Sequence, residues 1–574
     1  EPLVPRRLRV EVLERVNARG EVITPLNVEQ ARVVARDLRA VGVEAVTVCF
    51  LHAYVNPTHE LQMARILQEE YPAALVSLSN QISREWREYE RTSTTVINAY
   101  IQPIVERYLR TFDRHLLEQG FRGTLLIMQS NGGLMPVDRT LQRPVCTIES
   151  GPAAGAIATG VVGNLLGLDQ LISFDMGGTT AKTCLVQHGA PRVSAEYRVN
   201  GHVLRVPVID IIEVSAGGGS IAWVDEGGSL HVGPQSAGAD PGPVCYQRGG
   251  TAPTLTDANL LLGRINPDNF LGGEMHLDRS AAELAVHSHI AQPLGLNLIT
   301  ASAGIIRLAD VKMAHAIRAI TIEQGLDPRD FTLVAYGGAG PLHAAALARE
   351  LSIPRVLIPL HPAYFSAWGM LFADLRHDFV QTAPGRLEQI DLAAVNAIFA
   401  GMMQEGRELL TREGMPPERM NLMRSIDLRY VGQEHTVALP VEVEPLAKDD
   451  ASTLRHRFDE LHKLTYGYDA TDVEVEIVNL RLTALGRIQP PRFEHFAAGP
   501  SRSLAEAARG TRQVYFAEQQ EFSECPVYRR DALPAGTVII GPALVEEPAT
   551  VTVVYPGDRL VVTPYGLLEI QISN

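Results

Sequence analysis

A chain of 574 residues, 46% hydrophobic and 20% charged, has the composition of a folded protein; at about 100–200 residues per domain it should hold about three or four domains. Its formal net charge of −15 argues against nucleic acid or an anionic membrane as the main partner. The five cysteines, Cys49, Cys146, Cys184, Cys245 and Cys525, contain no CxxC pair, so neither a disulfide framework nor a cysteine zinc site is suggested, and a reducing cytoplasm is the expected compartment. No apolar run reaches the ~20 residues of a membrane helix and no signal peptide opens the chain, so a soluble protein is expected.

Residue 1 is Glu, and EPLVPRRLRVEVLERV reads as a connecting strand in mid-domain, so sequence upstream of it is expected. Residues Val28 to Val41 repeat like a helix and stop at Gly42; VEAVTVCFLHAY follows as a buried strand. That strand carries His52 at its C-terminal end, where ligand-facing residues gather in open α/β sheets, although a lone strand-end histidine is more often structural. A helix over 58–71 and a strand over 74–78 come next. The Arg87, Glu88, Tyr89, Glu90, Arg91 cluster reads as an ion-paired, solvated face. A strand over 124–128 then runs into Gln129-Ser130-Asn131-Gly132-Gly133, a polar turn expected to face a cleft.

The stretch LISFDMGGTTAKTCLV, 171–186, reads as strand, polar glycine turn, strand. Gly177 and Gly178 remove side chains that would keep backbone N–H groups from a ligand, Thr179 and Thr180 add hydroxyls, and Asp175 is suited to a hydrated cation. Polyphosphate with magnesium fits those parts, and an ordinary hairpin whose glycines serve only the turn stands beside that reading. Two more glycine clusters follow strands: Gly217-Gly218-Gly219-Ser220, and Gly337-Gly338-Ala339-Gly340 before an Ala-rich helix. Between them, 233–259 is dense in Gly and Pro and reads as an ordered binding loop with Asp257 at its exit. A long helix is expected over 301–324, a strand over 353–360, and a helix in HPAYFSAWGMLFADLRHDF. From about Leu387 the pattern becomes α+β, and the last sixty residues read as all-β.

The order strand-acid-Gly-Gly-Thr, then strand-Gly-Gly-x-Gly-helix, resembles the ATP-binding core shared by sugar kinases, actin and the heat-shock chaperone ATPases. ESGPAAGAIATG has the small-residue composition of that superfamily's crossing helix. More specifically, FLHAYVNP, REYERTSTTVINAYI, MQSNGGL, ESGPAAGA, FDMGGTTAK, AGGGSIAWVD, GPQSAGADPGPVCYQRGG, TLTDANLLLGRI, YGGAGPLHA, FSAWGMLFADLRHD and DLRYVGQEH, in that order, resemble the hydantoinase A/oxoprolinase family over nearly the whole chain. The family's first phosphate hairpin has no counterpart before residue 1. The resemblance implies an α/β fold with a two-lobed, actin-like core and a C-terminal α+β/all-β region, with domains at 1–148, 149–380 and 385–574.

It further implies an ATP-using cytoplasmic subunit that works with a hydantoinase B-like partner in a hetero-oligomer. The reaction would be hydrolysis of a cyclic amide such as a hydantoin, oxoproline or lactam, or, alternatively, carboxylation of a ketone of the acetone or acetophenone type. A chaperone-like ATP switch without chemistry of its own is a third reading. In the ATP-using readings Asp175 holds magnesium, 177–180 and 217–220 contact phosphate, 337–340 the adenosine, and Lys182 neutralises charge, with Thr179 in the catalytic set. His52, Asp257 and Glu213 are the substrate-side candidates.

Overall fold

Where the sequence carries an explicit stop signal, the element forms as expected. Helix Val28–Val41 starts at Asn27, whose side chain accepts the Gln30 backbone N–H, and ends at Gly42 in the left-handed region. Helices Leu392–Arg412 and Asp450–Tyr466 and strand Val475–Gly486 make up part of the α+β stretch expected after Leu387. The structure, a computed structural model, describes residues 2–442, 445–447, 449–491 and 504–573. Among these, no single helix is long and apolar enough to cross a membrane.

The chain forms two units, each assembled from three segments. The first comprises Glu1–Ser150, Val193–Val208 and Ala373–Gln489; the second comprises Gly151–Arg192, Ile209–Phe372 and Pro490–Asn574. The residues after 385 fall partly in the first unit and partly in the second. In the first unit, Leu375–Arg386 and Met420–Tyr430 both pair antiparallel with Val475–Gly486 in a six-stranded sheet. In the second, Leu568–Gln571 pairs antiparallel with Arg355–Ile358. Periodicity marks a strand, but not the sheet it joins. The same pairing corrects the expected helix over 361–379: only Phe365–Gly369 is α-helical, because Leu375–Arg386 is a long strand.

Two polar motifs of the first unit lie inside it. Arg91 is fully buried on helix Glu88–Glu118, donating from Nη2 to the Phe50 carbonyl at 2.7 Å and lying 5.4 Å over the Tyr54 ring, so it leaves the solvated face, whereas Arg87 and Glu90 of the same cluster pair at 3.5 Å and Tyr89 is exposed. Ser130 and Asn131 are buried too. Asn131 donates to Asp378 at 2.6 Å, and Asp378 also receives Arg376 at 2.9 Å and the Thr483 hydroxyl at 2.7 Å. The turn expected to face a ligand is thus the lid of an internal ion pair.

The second unit is built on a sheet in the order Ile212–Val214, Ala181–Gln187, Gln170–Met176, Thr332–Tyr336, Arg355–Ile358, then Leu568–Gln571, Arg559–Val562 and Val538–Ile540. Gln170–Met176, Thr332–Tyr336 and Arg355–Ile358 are parallel and buried on both faces, which their continuous apolar runs require. Helix Ser150–Leu166 crosses the sheet closely: a Cβ at Gly155 would collide with the Tyr336 ring, and one at Gly160 with the Gly189 carbonyl. Its small residues are a packing requirement.

Candidate functional site

Residues 177–180 form the turn between Gln170–Met176 and its antiparallel partner Ala181–Gln187. Among the described residues no protein group accepts the backbone N–H of Gly178, Thr179 or Thr180. Neither Gly177 nor Gly178 has a positive φ, and a Cβ built on either would meet no atom within 4 Å. The fold therefore does not need glycine at these positions. A turn with three N–H groups that the described protein does not use is suited to an anion.

The triple glycine does the opposite. Gly217, Gly218, Gly219 and Ser220 are buried, and their N–H groups are used internally. Gly218 donates to the Gly177 carbonyl at 3.0 Å and Gly219 to the Gly178 carbonyl at 2.6 Å; Gly217 donates to Ser220 Oγ at 2.8 Å and Ser220 to the Gly217 carbonyl at 2.9 Å. A Cβ on Gly217 would stand 2.5 Å from the Thr179 nitrogen and carbon. The expected phosphate contacts of 217–220 give way to a supporting role: these residues are the platform on which 177–180 rests. Thr256, unmarked by the sequence reading, locks that platform by donating its hydroxyl to the Gly218 carbonyl at 2.8 Å.

The second glycine turn follows strand Thr332–Tyr336, which is parallel to and paired with Gln170–Met176, so that Tyr336 sits opposite Asp175. Both turns thus emerge at the carboxyl ends of adjacent parallel strands, the place where open α/β sheets bind ligands. Gly337 has φ +80°, and a Cβ there would lie 2.5 Å from Asp175 Oδ1; its N–H donates to the Pro362 carbonyl at 2.9 Å. Ala339 donates to the Met176 carbonyl at 3.0 Å, tying the two turns together. Gly338 is exposed and without positive φ, and its Cβ position meets only the Ala549 carbonyl, at 3.5 Å. It faces a small pocket with Ile265, Asn269, Phe270 and Leu342. Gly340 opens helix Gly340–Glu350.

Cross-strand register sets Asp175 opposite Lys182 and Lys182 opposite Glu213, an acid-base-acid row across three strands. Lys182 Nζ lies 3.6 Å from Glu213 Oε1. Burial pushes the Asp175 carboxyl above its ordinary range, against the pull of Lys182 and of the Ser366 hydroxyl, which donates at 3.5 Å. Ser366 carries no local signal in the sequence beyond its place in the FSAWG stretch. Among the described residues no group of three His, Cys, Asp or Glu side chains is placed to hold a metal ion. One carboxylate beside N–H groups suited to an anion is a donor set that would fit magnesium, which keeps most of its waters.

Two expected site residues have protein partners of their own. Asp257 is fully buried and receives the Cys245 N–H, the Thr254 N–H and the Thr254 hydroxyl, each at 2.8 Å, and the Val244 N–H at 3.3 Å. With Thr254 it forms a capping box on helix Leu255–Leu261, so its carboxylate organises the preceding loop and does not face substrate. His52, at φ 56°, belongs to the first unit, with Nδ1 3.4 Å from the Tyr54 hydroxyl.

These features define an α/β protein with the two-lobed, actin-like core. The chain belongs to the hydantoinase/oxoprolinase family: the family pattern matches residues 91–379, with its C-terminal domain at 386–572 and its N-terminal region at 1–71. The caprolactamase subunit alpha of Pseudomonas jessenii is 36% identical over 99% of this chain and 82% of its own length. The acetophenone carboxylase gamma subunit of Aromatoleum aromaticum is 34% identical over 99% and 80%. The crystal structure of the ATP-dependent caprolactamase from P. jessenii superimposes with a TM-score of 0.87 at 36% identity, covering 100% of this chain and 83% of that one.

Proposed function

We propose that this chain is the ATP-using subunit of an enzyme that opens a cyclic amide, a hydantoin, oxoproline or other lactam, working in a hetero-oligomer with a hydantoinase B-like partner. The observation that carries the reading is the turn at 177–180, where glycines required by neither conformation nor packing sit with three N–H groups that no described protein group accepts. The similarity to an ATP-dependent caprolactamase supports both the nucleotide and the amide.

An amide carbonyl is a poor electrophile. In the proposed reaction its oxygen attacks the γ-phosphorus of ATP, the bond to the ADP oxygen breaks, and the carbon becomes an imidate phosphate. Water adds to that carbon, the ring nitrogen leaves with a proton, and the resulting acyl phosphate is hydrolysed to carboxylate and inorganic phosphate. Catalysis of the first transfer rests on positioning and charge neutralisation. In this assignment Gly178, Thr179 and Thr180 bind phosphate oxygens, Gly337 to Gly340 sit on the adenosine side, and Lys182 offsets developing negative charge. A magnesium ion, when bound, supplies further charge neutralisation, and Asp175 would hold it through water.

The similarity to an acetophenone carboxylase subunit favours a second reading, in which the phosphoryl group goes to a ketone enolate oxygen before carboxylation. ATP hydrolysis by the chain with its partner, measured against a panel of lactams and against ketones with bicarbonate, separates the two. Lactam-dependent ADP formation is expected; ketone- and bicarbonate-dependent ADP formation would establish the second reading instead.

A further inference from the structure

Away from the glycine turns, the second unit contains a cavity of about 460 Å³ between helices Leu298–Ile320 and Gly340–Glu350 and the C-terminal strands. Apolar walls, Leu262, Ala303 and Ile306 among them, alternate with three arginines, Arg264, Arg307 and Arg349. The carboxylates around it are mostly matched. Glu350 lies 2.8 Å from Arg307 and 3.2 Å from Arg318, Asp558 is 2.7 Å from Arg349, and Asp310 is 2.6 Å from His343 Nδ1; Glu518 is exposed at the rim.

Arg264 is the exception. It is only 3% exposed, and its Nη2 donates to the Tyr555 hydroxyl at 3.0 Å. Its Nε and Nη1 are buried with no hydrogen-bond partner among the described residues, as is Nη1 of Arg349. A guanidinium cannot lose its charge, and each buried donor left unmade is destabilising. Two arginines that line one cavity, each with N–H groups that no described protein group accepts, are an anion site in want of its anion. The cavity falls within the ~300–1,000 Å³ typical of small-molecule sites.

We propose that this cavity binds a small organic anion, a carboxylate or phosphate on an apolar body, with Arg264 as the charged fork, Arg349 Nη1 as a second donor, and the Leu262, Ala303 and Ile306 wall against the body. The site is not the one read as nucleotide-binding: from Gly340 to Arg349 the shared helix runs about 13 Å at 1.5 Å per residue, so the two sites lie at its opposite ends. The inference stands whether or not the glycine turns bind ATP.

The test is calorimetric titration of the full chain with hexanoate and, separately, with inorganic phosphate. One of them should bind saturably, and Arg264→Gln should weaken it about tenfold or more, the loss of at least one charged hydrogen bond. Ala303→Phe, which fills the cavity without touching a charge, should do the same and carries the test if Arg264→Gln does not fold. Hexanoate binding identifies a carboxylate ligand; phosphate binding lost in both variants identifies a phosphate. Phosphate held at the 177–180 turn would survive both substitutions and be lost in Gly178→Val. No saturable binding of either anion, or binding that neither cavity variant weakens, overturns the proposal.

Discussion

Two glycines a few ångströms apart should respond to substitution in opposite ways. At Gly178 a side chain meets no positive φ and no atom within 4 Å, so Gly178→Val should leave stability within about 1 kcal/mol of wild type. At Gly217 an added Cβ would stand 2.5 Å from the Thr179 nitrogen and carbon, about 1 Å inside the optimal separation of non-bonded atoms. Both obstacles are backbone, so the platform and the turn must part. The overpacking costs about 1–3 kcal/mol. Weakening the Gly218 and Gly219 hydrogen bonds to the carbonyls of Gly177 and Gly178 adds about 1 kcal/mol each, for a total of about 3–5 kcal/mol in Gly217→Ala. Binding should invert the order of directness. In the proposed assignment a valine at 178 crowds a phosphate oxygen held by N–H donors worth about 1.5–3 kcal/mol each, so loss of one is about a tenfold or greater loss in ATP affinity. Urea unfolding gives the stabilities and calorimetric titration with ATP the affinities. A folded Gly178→Val that binds ATP like wild type, or a Gly217→Ala as stable as wild type, refutes the assignment of one turn to ligand and the other to support.

Asp257→Ala should destabilise by about 2–4 kcal/mol, because it orphans the buried N–H groups of Cys245 and Thr254 and removes the capping box; Asp257→Asn, which keeps an acceptor, should recover part of that loss in the same urea measurement. Glu547 is a source of pH dependence. Burial raises its carboxyl from 4.5 to about 7, and Arg530, 3.6 Å away, lowers it only in part. A folded-state pKa above the unfolded one means that the stability is full below about 4.5 and is lost as pH rises through about 7, a change of about 3 kcal/mol. Glu547→Gln should lose this component, so the difference in urea midpoint between variant and wild type should grow from pH 4.5 to pH 8; a constant difference contradicts it.

The elements legible in the sequence were those with local punctuation: Gly42 ends a helix by its own left-handed conformation, and the polar turn at 177–180 interrupts two apolar runs. Their adjacency to the 337–340 turn followed from the resemblance and is realised by parallel pairing of Thr332–Tyr336 with Gln170–Met176. The triple glycine misled because composition cannot tell a glycine that faces a ligand from one that faces another backbone. For Asp257 a local signal did exist, since Thr254 and Asp257 have the spacing of a capping box. Arg91 and Asp378 were illegible for the opposite reason: their partners, Phe50 and Asn131, are distant in sequence, and burial of a charge depends on finding them.

In the proposed mechanism ATP cleavage and amide opening are one reaction. The direct measurement is phosphate released per lactam ring opened, by the chain together with a hydantoinase B-like partner. At least one phosphate per ring, with negligible release when lactam is omitted, is the predicted result. Ring opening without phosphate release, or phosphate release that no lactam changes, would contradict it.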